Sequence, residues 1–369
     1  MKKVEINSYV PGLSIDEIKE KYGVKNIIKL ASNENPYGAS PVVQEVIKKY
    51  SSYVFRYPRS DYPELTQKIA EHLNIDERKI VVGNGSDELI DLIIKLNLQK
   101  EGNILFFSPG FSIYELQAKI YGVNIKKVPL NEDFSFSLEK MLSYIDKNTI
   151  LIFLNTPYNP SGYAVTKREL IRFLNKVPKD IIVVIDEAYI DFVGKIEEYS
   201  LLDQLDSYEN VVILRTFSKA YGLAGLRLGY GIMNFELAKL LKKARLPFSV
   251  NILAEKAGIA ALKDKEYYEL TVKTVITQRS FLSETLKKYG CTVLPSYANF
   301  IMFKPPLNAD FIYEELLKRG IIIRSLRSYN IPDWLRVSIG TPKENKIFLK
   351  SLYEILKKTG ECPLPFTFC

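Results

Sequence analysis

Ile181-Ile182-Val183-Val184-Ile185-Asp186-Glu187-Ala188-Tyr189 decides the fold. Its first five residues are β-branched and apolar, with no polar position to face water. The run therefore reads as a central strand covered on both sides, as in a parallel sheet. A carboxylate, Asp186, closes it, and an open α/β sheet gathers its ligand groups at the C-terminal ends of such strands. An aspartate capping the following turn is the plainer alternative.

Similar apolar runs occur on either side. Ile80-Val81-Val82, residues 103–107, residues 150–154 and Val211-Val212-Ile213-Leu214 all read as strands, with helical patterns between them. This alternation over residues 80–230 predicts a mainly parallel, doubly wound sheet. After a crossing loop at 245–251, a long helical region extends to about Lys288. A second α+β unit follows, with strands near Val293, Ile301, Ile321 and Leu335 and a helix over 309–319. Near the N-terminus, an amphipathic piece over 15–22 and a strand-like run precede Asn33-Glu34-Asn35-Pro36, which ends regular structure. A helix over 63–73 places Leu65, Ile69 and Leu73 on one face. His72, the only histidine, lies at its edge and is read as packing.

Two stretches carry chemistry besides the first. Residues 216–231, TFSKAYGLAGLRLGYG, follow a strand and hold Lys219 close to the hydroxyls of Thr216 and Ser218, with Arg227 eight residues on. A lysine at a strand end, with hydroxyls and a guanidinium nearby, suits a covalent aldehyde cofactor that carries a phosphate. A surface lysine in a glycine-rich loop is the alternative. Gly83-Asn84-Gly85-Ser86 turns from a strand into a helix from Asp87, where unpaired N–H groups of the first turn make an anion site. A serine N-cap with outward-pointing Asp87 and Glu88 is compatible with that site.

The chain has 369 residues, 47% hydrophobic and 25% charged, as in soluble globular proteins, and is long enough for two units. The opening MKKVEINSYVPG has no apolar signal core, and no apolar run reaches the ~20 residues of a membrane span. Cys291, Cys362 and Cys369 lack metal-ligand spacing and are too few for a disulfide framework, so no metal and a cytoplasmic location are expected. The net charge of +8 is spread among acidic neighbours, as in Lys263-Asp264-Lys265-Glu266, so a nucleic-acid partner is not expected. The tail over 362–369 carries no reading.

The lysine stretch resembles that of fold-type I pyridoxal phosphate enzymes, and specifically the histidinol-phosphate aminotransferase family. The resemblance extends, in the family's order, through LASNENPYG at 30–38, RYP at 56–58, GNGSDE at 83–88, NPSG at 159–162, DEAY at 186–189 and LRVSIGT at 335–341. It implies a large cofactor-binding domain over 31–250 and a small domain from 1–30 and 251–369. It assigns Lys219 to catalysis and Gly85, Ser86, Asp87, Thr216, Ser218 and Arg227 to the cofactor phosphate region. Phe111 would stack on the pyridine ring, Asn159 and Tyr189 bond its hydroxyl, and Asp186 keep its nitrogen protonated. Tyr57 would reach the cofactor phosphate of a neighbouring subunit, which implies a homodimer.

The resemblance also assigns Tyr9, Asn33, Arg324 and Arg336 to the substrate, with Arg327 close enough in sequence to serve for Arg324. It implies pyridoxal 5'-phosphate as cofactor, and histidinol phosphate and 2-oxoglutarate as small-molecule substrates. The sequence departs from the family's commonest pattern at three places: Phe111 for tyrosine, Tyr158 for asparagine and Ser161 for threonine. Aromatic-amino-acid aminotransferases and threonine-phosphate decarboxylases share every cofactor residue and remain alternatives. Transcription regulators that use this fold carry an N-terminal helix-turn-helix domain, for which NENPYG at residue 33 is expected to leave no room. The complete set Lys219, Asp186, Asn159, Tyr189 and Arg227 argues against a catalytically dead partner protein.

Overall fold

The computed structural model describes residues 15–98 and 102–360. A short strand, β1 (Ile28–Lys29), precedes the main sheet. That sheet has seven strands: β2 (Ile80–Asn84), β3 (Asn103–Ser108), β4 (Asn124–Pro129), β5 (Thr149–Asn155), β6 (Ile182–Asp186), β7 (Val211–Thr216) and β8 (Leu228–Met233). Their spatial order is β2-β8-β7-β6-β5-β3-β4. Every neighbouring pair is parallel except those made by β8, which runs antiparallel to both β2 and β7.

β6 lies between parallel partners, as its unbroken apolar run requires. Alternate residues enter opposite cores: Val183 and Ile185 pack on one face of the sheet, Val184 on the other. The register sets Asn155 beside Asp186, and Asp186 beside Leu214. The C-terminal ends of β5, β6 and β7 therefore deliver Asn155, Asp186 and Thr216 to one edge. The reversed strand β8 pairs Leu228 with Asn84 and Gly229 with Thr216. Arg227, just before β8, thus meets the turn that follows β2.

A smaller sheet is built from β9 (Thr292–Val293), β10 (Phe300–Lys304), β12 (Arg324–Ser325) and β13 (Leu335–Ser338), in the order β12-β13-β10-β9. β11 (Ile321–Ile322) pairs in parallel with β1, and the N–H of Ser338 donates to the carbonyl of Leu30 at 2.8 Å. The segment that carries β1 and Leu30 is therefore hydrogen-bonded to strands of the second unit.

The long helical region is two helices, Ile252–Lys263 and Lys265–Lys288, divided at Asp264, whose carboxylate accepts from the N–H of Tyr267. The first packs Ala254, Ala257 and Leu262 in a core of the large sheet; the second sends Val275, Leu282 and Leu286 to the core of the small one. We propose that the boundary between the units falls at Asp264.

Candidate active site

The helix Gly85–Leu96 begins two residues earlier than the sequence predicts, and its N-cap, Asn84, makes no side-chain cap. The first-turn N–H groups are left pointing out of the helix, where its dipole favours an anion. Glu88 reaches back to accept from the N–H of Asn84 at 2.6 Å, and Asp87 accepts from Arg227 Nη2 at 3.0 Å. The outward course expected for both acids is therefore corrected: each bonds a neighbour at the helix start, and Asp87 lines the cavity.

Glycines allow this close approach. Gly85 has φ +76°, and a Cβ there would stand 2.6 Å from Arg227 Nη2. A Cβ on Gly229 would stand 2.4 Å from the backbone nitrogen of Ser86. The space that side chains would fill is a cradle of backbone N–H groups, small hydroxyls and one guanidinium.

A cavity of about 340 Å³ opens from this cradle. Ser86, Asp87, Phe111, Asn159, Asp186, Tyr189, Thr216, Ser218, Lys219 and Arg227 all line it. Sequence positions more than a hundred residues apart thus converge on one site. Asp186 is buried; one oxygen accepts from Tyr114 Oη at 2.5 Å and the other from the N–H of Ala188 at 3.1 Å. Burial pushes its carboxyl up to about 6, against the pull of Tyr114's donation.

Lys219 is partly buried, with Nζ 3.3 Å from the carbonyl oxygen of Ser32. Burial, and then the charge of Arg336, pushes its ammonium down to about 8. Tyr189 receives a hydrogen bond from Asn33 Nδ2 at 3.1 Å, and burial raises its hydroxyl well above the usual range.

Arg336 is a buried cation whose hydrogen-bond partners are neutral. It donates from Nη1 to Oδ1 of Asn159 and from Nη2 to the carbonyl of Ala31 at 2.9 Å, while buried Nε has no partner. A guanidinium so placed calls for an anionic ligand.

Other expected residues lie outside this cavity. Asn33, at φ +56°, is a buried strut: its N–H donates to Ser338 Oγ at 2.8 Å and its carbonyl accepts from Asn299 at 2.9 Å. Arg324 lines an adjoining cavity and donates to Ser328 Oγ at 3.3 Å; it stands opposite Arg336 in the β12–β13 register. Arg327 points elsewhere, bonding Asp310. Tyr57 is 81% exposed and stacks on Phe248. Tyr9 lies outside the described residues.

Tyr158, where the sequence departs from the family's asparagine, does not line the cavity. It is buried, with its hydroxyl donating to the carbonyls of Phe107 and Pro109, so it fastens the loop that carries Phe111. Sequence reasoning missed Tyr114 and Asn155. Asn155 ends a buried strand, a readable signal; it donates to the carbonyl of Asp186 at 3.1 Å and accepts from the N–H of Asn159 at 2.8 Å.

Comparison with known proteins matches residues 25–352 to the family of class I and II aminotransferases. The chain belongs to that family. The histidinol-phosphate aminotransferase of Nitratidesulfovibrio vulgaris strain Hildenborough is 49% identical to this aminotransferase over 354 residues, covering 96% of this chain and 95% of that one. Among solved structures, the histidinol-phosphate aminotransferase of Sinorhizobium meliloti, in complex with pyridoxal-5'-phosphate, superposes with a TM-score of 0.87 at 26% identity. The match covers 95% of this aminotransferase and 96% of that chain. The histidinol-phosphate aminotransferase of Clostridium acetobutylicum matches with a TM-score of 0.83 at 30% identity, over 90% of this chain and all of that one (100%).

The donor set fits pyridoxal 5'-phosphate. The cradle at Gly85 and Arg227 suits its phosphate, Asp186 a ring nitrogen, and Lys219 its aldehyde. The cavity volume also falls in the range of small-molecule sites, about 300–1,000 Å³.

Proposed function

We propose that this protein interconverts histidinol phosphate and imidazole-acetol phosphate, with 2-oxoglutarate and glutamate as the amino-group pair, in histidine biosynthesis. The observation that carries this reading is the convergence of Lys219, Asp186, Asn159 and Arg227 on one cavity. The relatives named above support the choice of donor.

When bound, pyridoxal 5'-phosphate supplies an aldehyde carbon conjugated to an electron-accepting ring. The residues of the chain do the rest. Arg227, Ser86 and the N–H groups of the helix start hold the phosphate, and Thr216 and Ser218 supply nearby hydroxyls. Phe111 packs against one ring face. The Asp186 carboxylate keeps the ring nitrogen protonated, and Asn159 and Tyr189 meet its hydroxyl. Lys219 Nζ, poised near neutral pH, takes a proton from the donor's reacting carbon and returns it to the cofactor side. Arg336 and Arg324 hold the donor's phosphate and the acceptor's distal carboxylate, with Tyr9 assigned to the same end.

We also propose a cytoplasmic homodimer. Val54, Phe55, Tyr57, Leu246 and Phe248 are exposed apolar side chains on two loops that meet at the Tyr57–Phe248 stack. A second copy would cover this patch and receive Tyr57 at its own cofactor phosphate. Light scattering checks the state: a monomer at assay concentration refutes the dimer.

A half-reaction tests the activity. Cofactor-loaded protein is mixed, without oxo acid, with histidinol phosphate, phenylalanine or threonine phosphate, and the visible absorbance of the lysine-linked cofactor is followed. Rapid loss with histidinol phosphate alone is the expected result. Equal loss with phenylalanine indicates a broad aminotransferase, and carbon dioxide from threonine phosphate indicates a decarboxylase.

A further inference from the structure

A second cavity, of about 540 Å³, adjoins the first and shares Phe111 with it. Its two sides come from different units. Arg324, Ser328 and Tyr329 belong to the small unit; Glu115, Lys119 and Lys127 belong to the large one. Glu115 and Lys119 lie on the helix Ile113–Tyr121, whereas Lys127 lies on the edge strand β4.

Glu115 ties the helix to the strand. Its two carboxylate oxygens stand 2.7 Å from Lys119 Nζ and 2.7 Å from Lys127 Nζ. One carboxylate is thus shared by two ammonium groups, and one positive charge is left over on that side. Arg324 lines the opposite side. Edge-strand lysines commonly guard against strand pairing, and neighbouring Lys126, which bonds Asp146 at 2.9 Å, fits that role. Lys127 differs, because its side chain is held against a helix beside a cavity next to the cofactor site.

We propose that Lys119 and Lys127, clamped by Glu115, form an outer anion subsite that captures phosphate-monoester donors on their way to Arg324 and Arg336. The inference rests on the reading of the donor as phosphorylated. Partly exposed ammonium groups act over roughly a Debye length, about 10 Å at 0.1 M salt, so their contribution is to encounter and to weak first binding. An uncharged donor such as histidinol gains nothing from them.

The test compares cofactor-loaded wild type with the double variant Lys119→Gln/Lys127→Gln, using histidinol phosphate and histidinol at low and high salt. In the variant, kcat/KM for histidinol phosphate is expected to fall about fivefold at low salt, through KM rather than kcat, and the loss shrinks as salt rises. Glu115→Gln separates this role from a structural one. It removes the only carboxylate of the cluster, so kcat/KM for the phosphorylated donor rises or holds at low salt; a loss there shows that the triad serves structure alone. A double variant with wild-type salt dependence overturns the subsite and leaves the proposed donor standing. Wild-type protein that does not prefer histidinol phosphate over histidinol overturns the donor reading itself.

Discussion

Tyr114 Oη donates to Asp186 Oδ2 at 2.5 Å, and both side chains are buried. The tyrosine ring is held by stacking on Phe153, with centroids 4.5 Å apart and planes 11° from parallel. Its own proton stays in place, because burial and the adjacent carboxylate raise the hydroxyl well above its ordinary value. Tyr114 therefore acts as a fixed donor that favours the ionised form of Asp186. Tyr114→Phe keeps the ring and removes the donor, so the Asp186 carboxyl moves above about 6. With a lost bond to a charged group worth about 1.5 kcal/mol, or roughly one pH unit, kcat at pH 7 should fall roughly twofold, fall further below pH 7, and recover as pH rises. A pH profile of kcat unchanged in shape would reduce Tyr114 to packing.

Asp186 itself gives a stability prediction with a definite sign. Its carboxyl is raised from 3.8 to about 6 in the folded chain, so between those values the folded state binds the proton more tightly than the unfolded one. Stability of the cofactor-free protein falls as pH rises through that window, and the full penalty is present above about 6. Asp186→Asn removes the buried charge. At pH 7 the cofactor-free variant should be more stable than wild type by about 3 kcal/mol, and the difference should vanish below pH 4. Denaturant unfolding at the two pH values measures this. The same variant should lose nearly all transamination, since the anion facing the ring nitrogen is gone.

Lys219 titrates in the opposite direction. Its ammonium is lowered from 10.5 to about 8, so the folded state releases its proton first and stability rises with pH between those values. At pH 8 about half of Lys219 is neutral, against about 0.3% of an ordinary lysine. An amine-modifying reagent such as trinitrobenzenesulfonate should therefore label Lys219 well ahead of surface lysines in cofactor-free protein, and cofactor should block the labelling. Mass mapping that finds Lys219 labelled no faster than the surface lysines refutes the lowered value.

What was legible in the sequence follows from range. A five-residue β-branched run has only one comfortable place, so residues 181–185 announced a central strand, and β6 is one. Lys219, Asp186, Asn159 and Arg227 stood out because each ends or follows such a strand or sits in a glycine-rich turn. Tyr114 gave no sign: on an amphipathic helix it looks like any core tyrosine, and its partner is 72 residues away. Arg215 was silent for the same reason. It reads as one charged residue in a strand, yet it is buried 2.8 Å from Glu187, with Ser200 bonded to both. Asp87 was misread because its partner, Arg227, arrives only through the reversed strand β8. Among the described residues Tyr57 stacks on Phe248 and does not line the cavity, so its reading depends on a second copy.

Gly85 offers the sharpest test of the phosphate cradle. The residue sits at φ +76°, which an L side chain adopts at a penalty of about 1 kcal/mol, and its Cβ would stand 2.6 Å from Arg227 Nη2. Gly85→Ala therefore does two separable things. Backbone strain lowers the thermal midpoint of cofactor-free protein by about one to two degrees. Displacement of the guanidinium from the helix start weakens phosphate binding, and pyridoxal 5'-phosphate affinity should drop by about ten- to a hundredfold, consistent with the loss of one charge-assisted contact at roughly 1.5–3 kcal/mol. Pyridoxal lacking the phosphate makes no use of the cradle, so its affinity should change far less. Equal losses for the two ligands in fluorescence titration would place the damage in the fold around Gly85 rather than in an anion site.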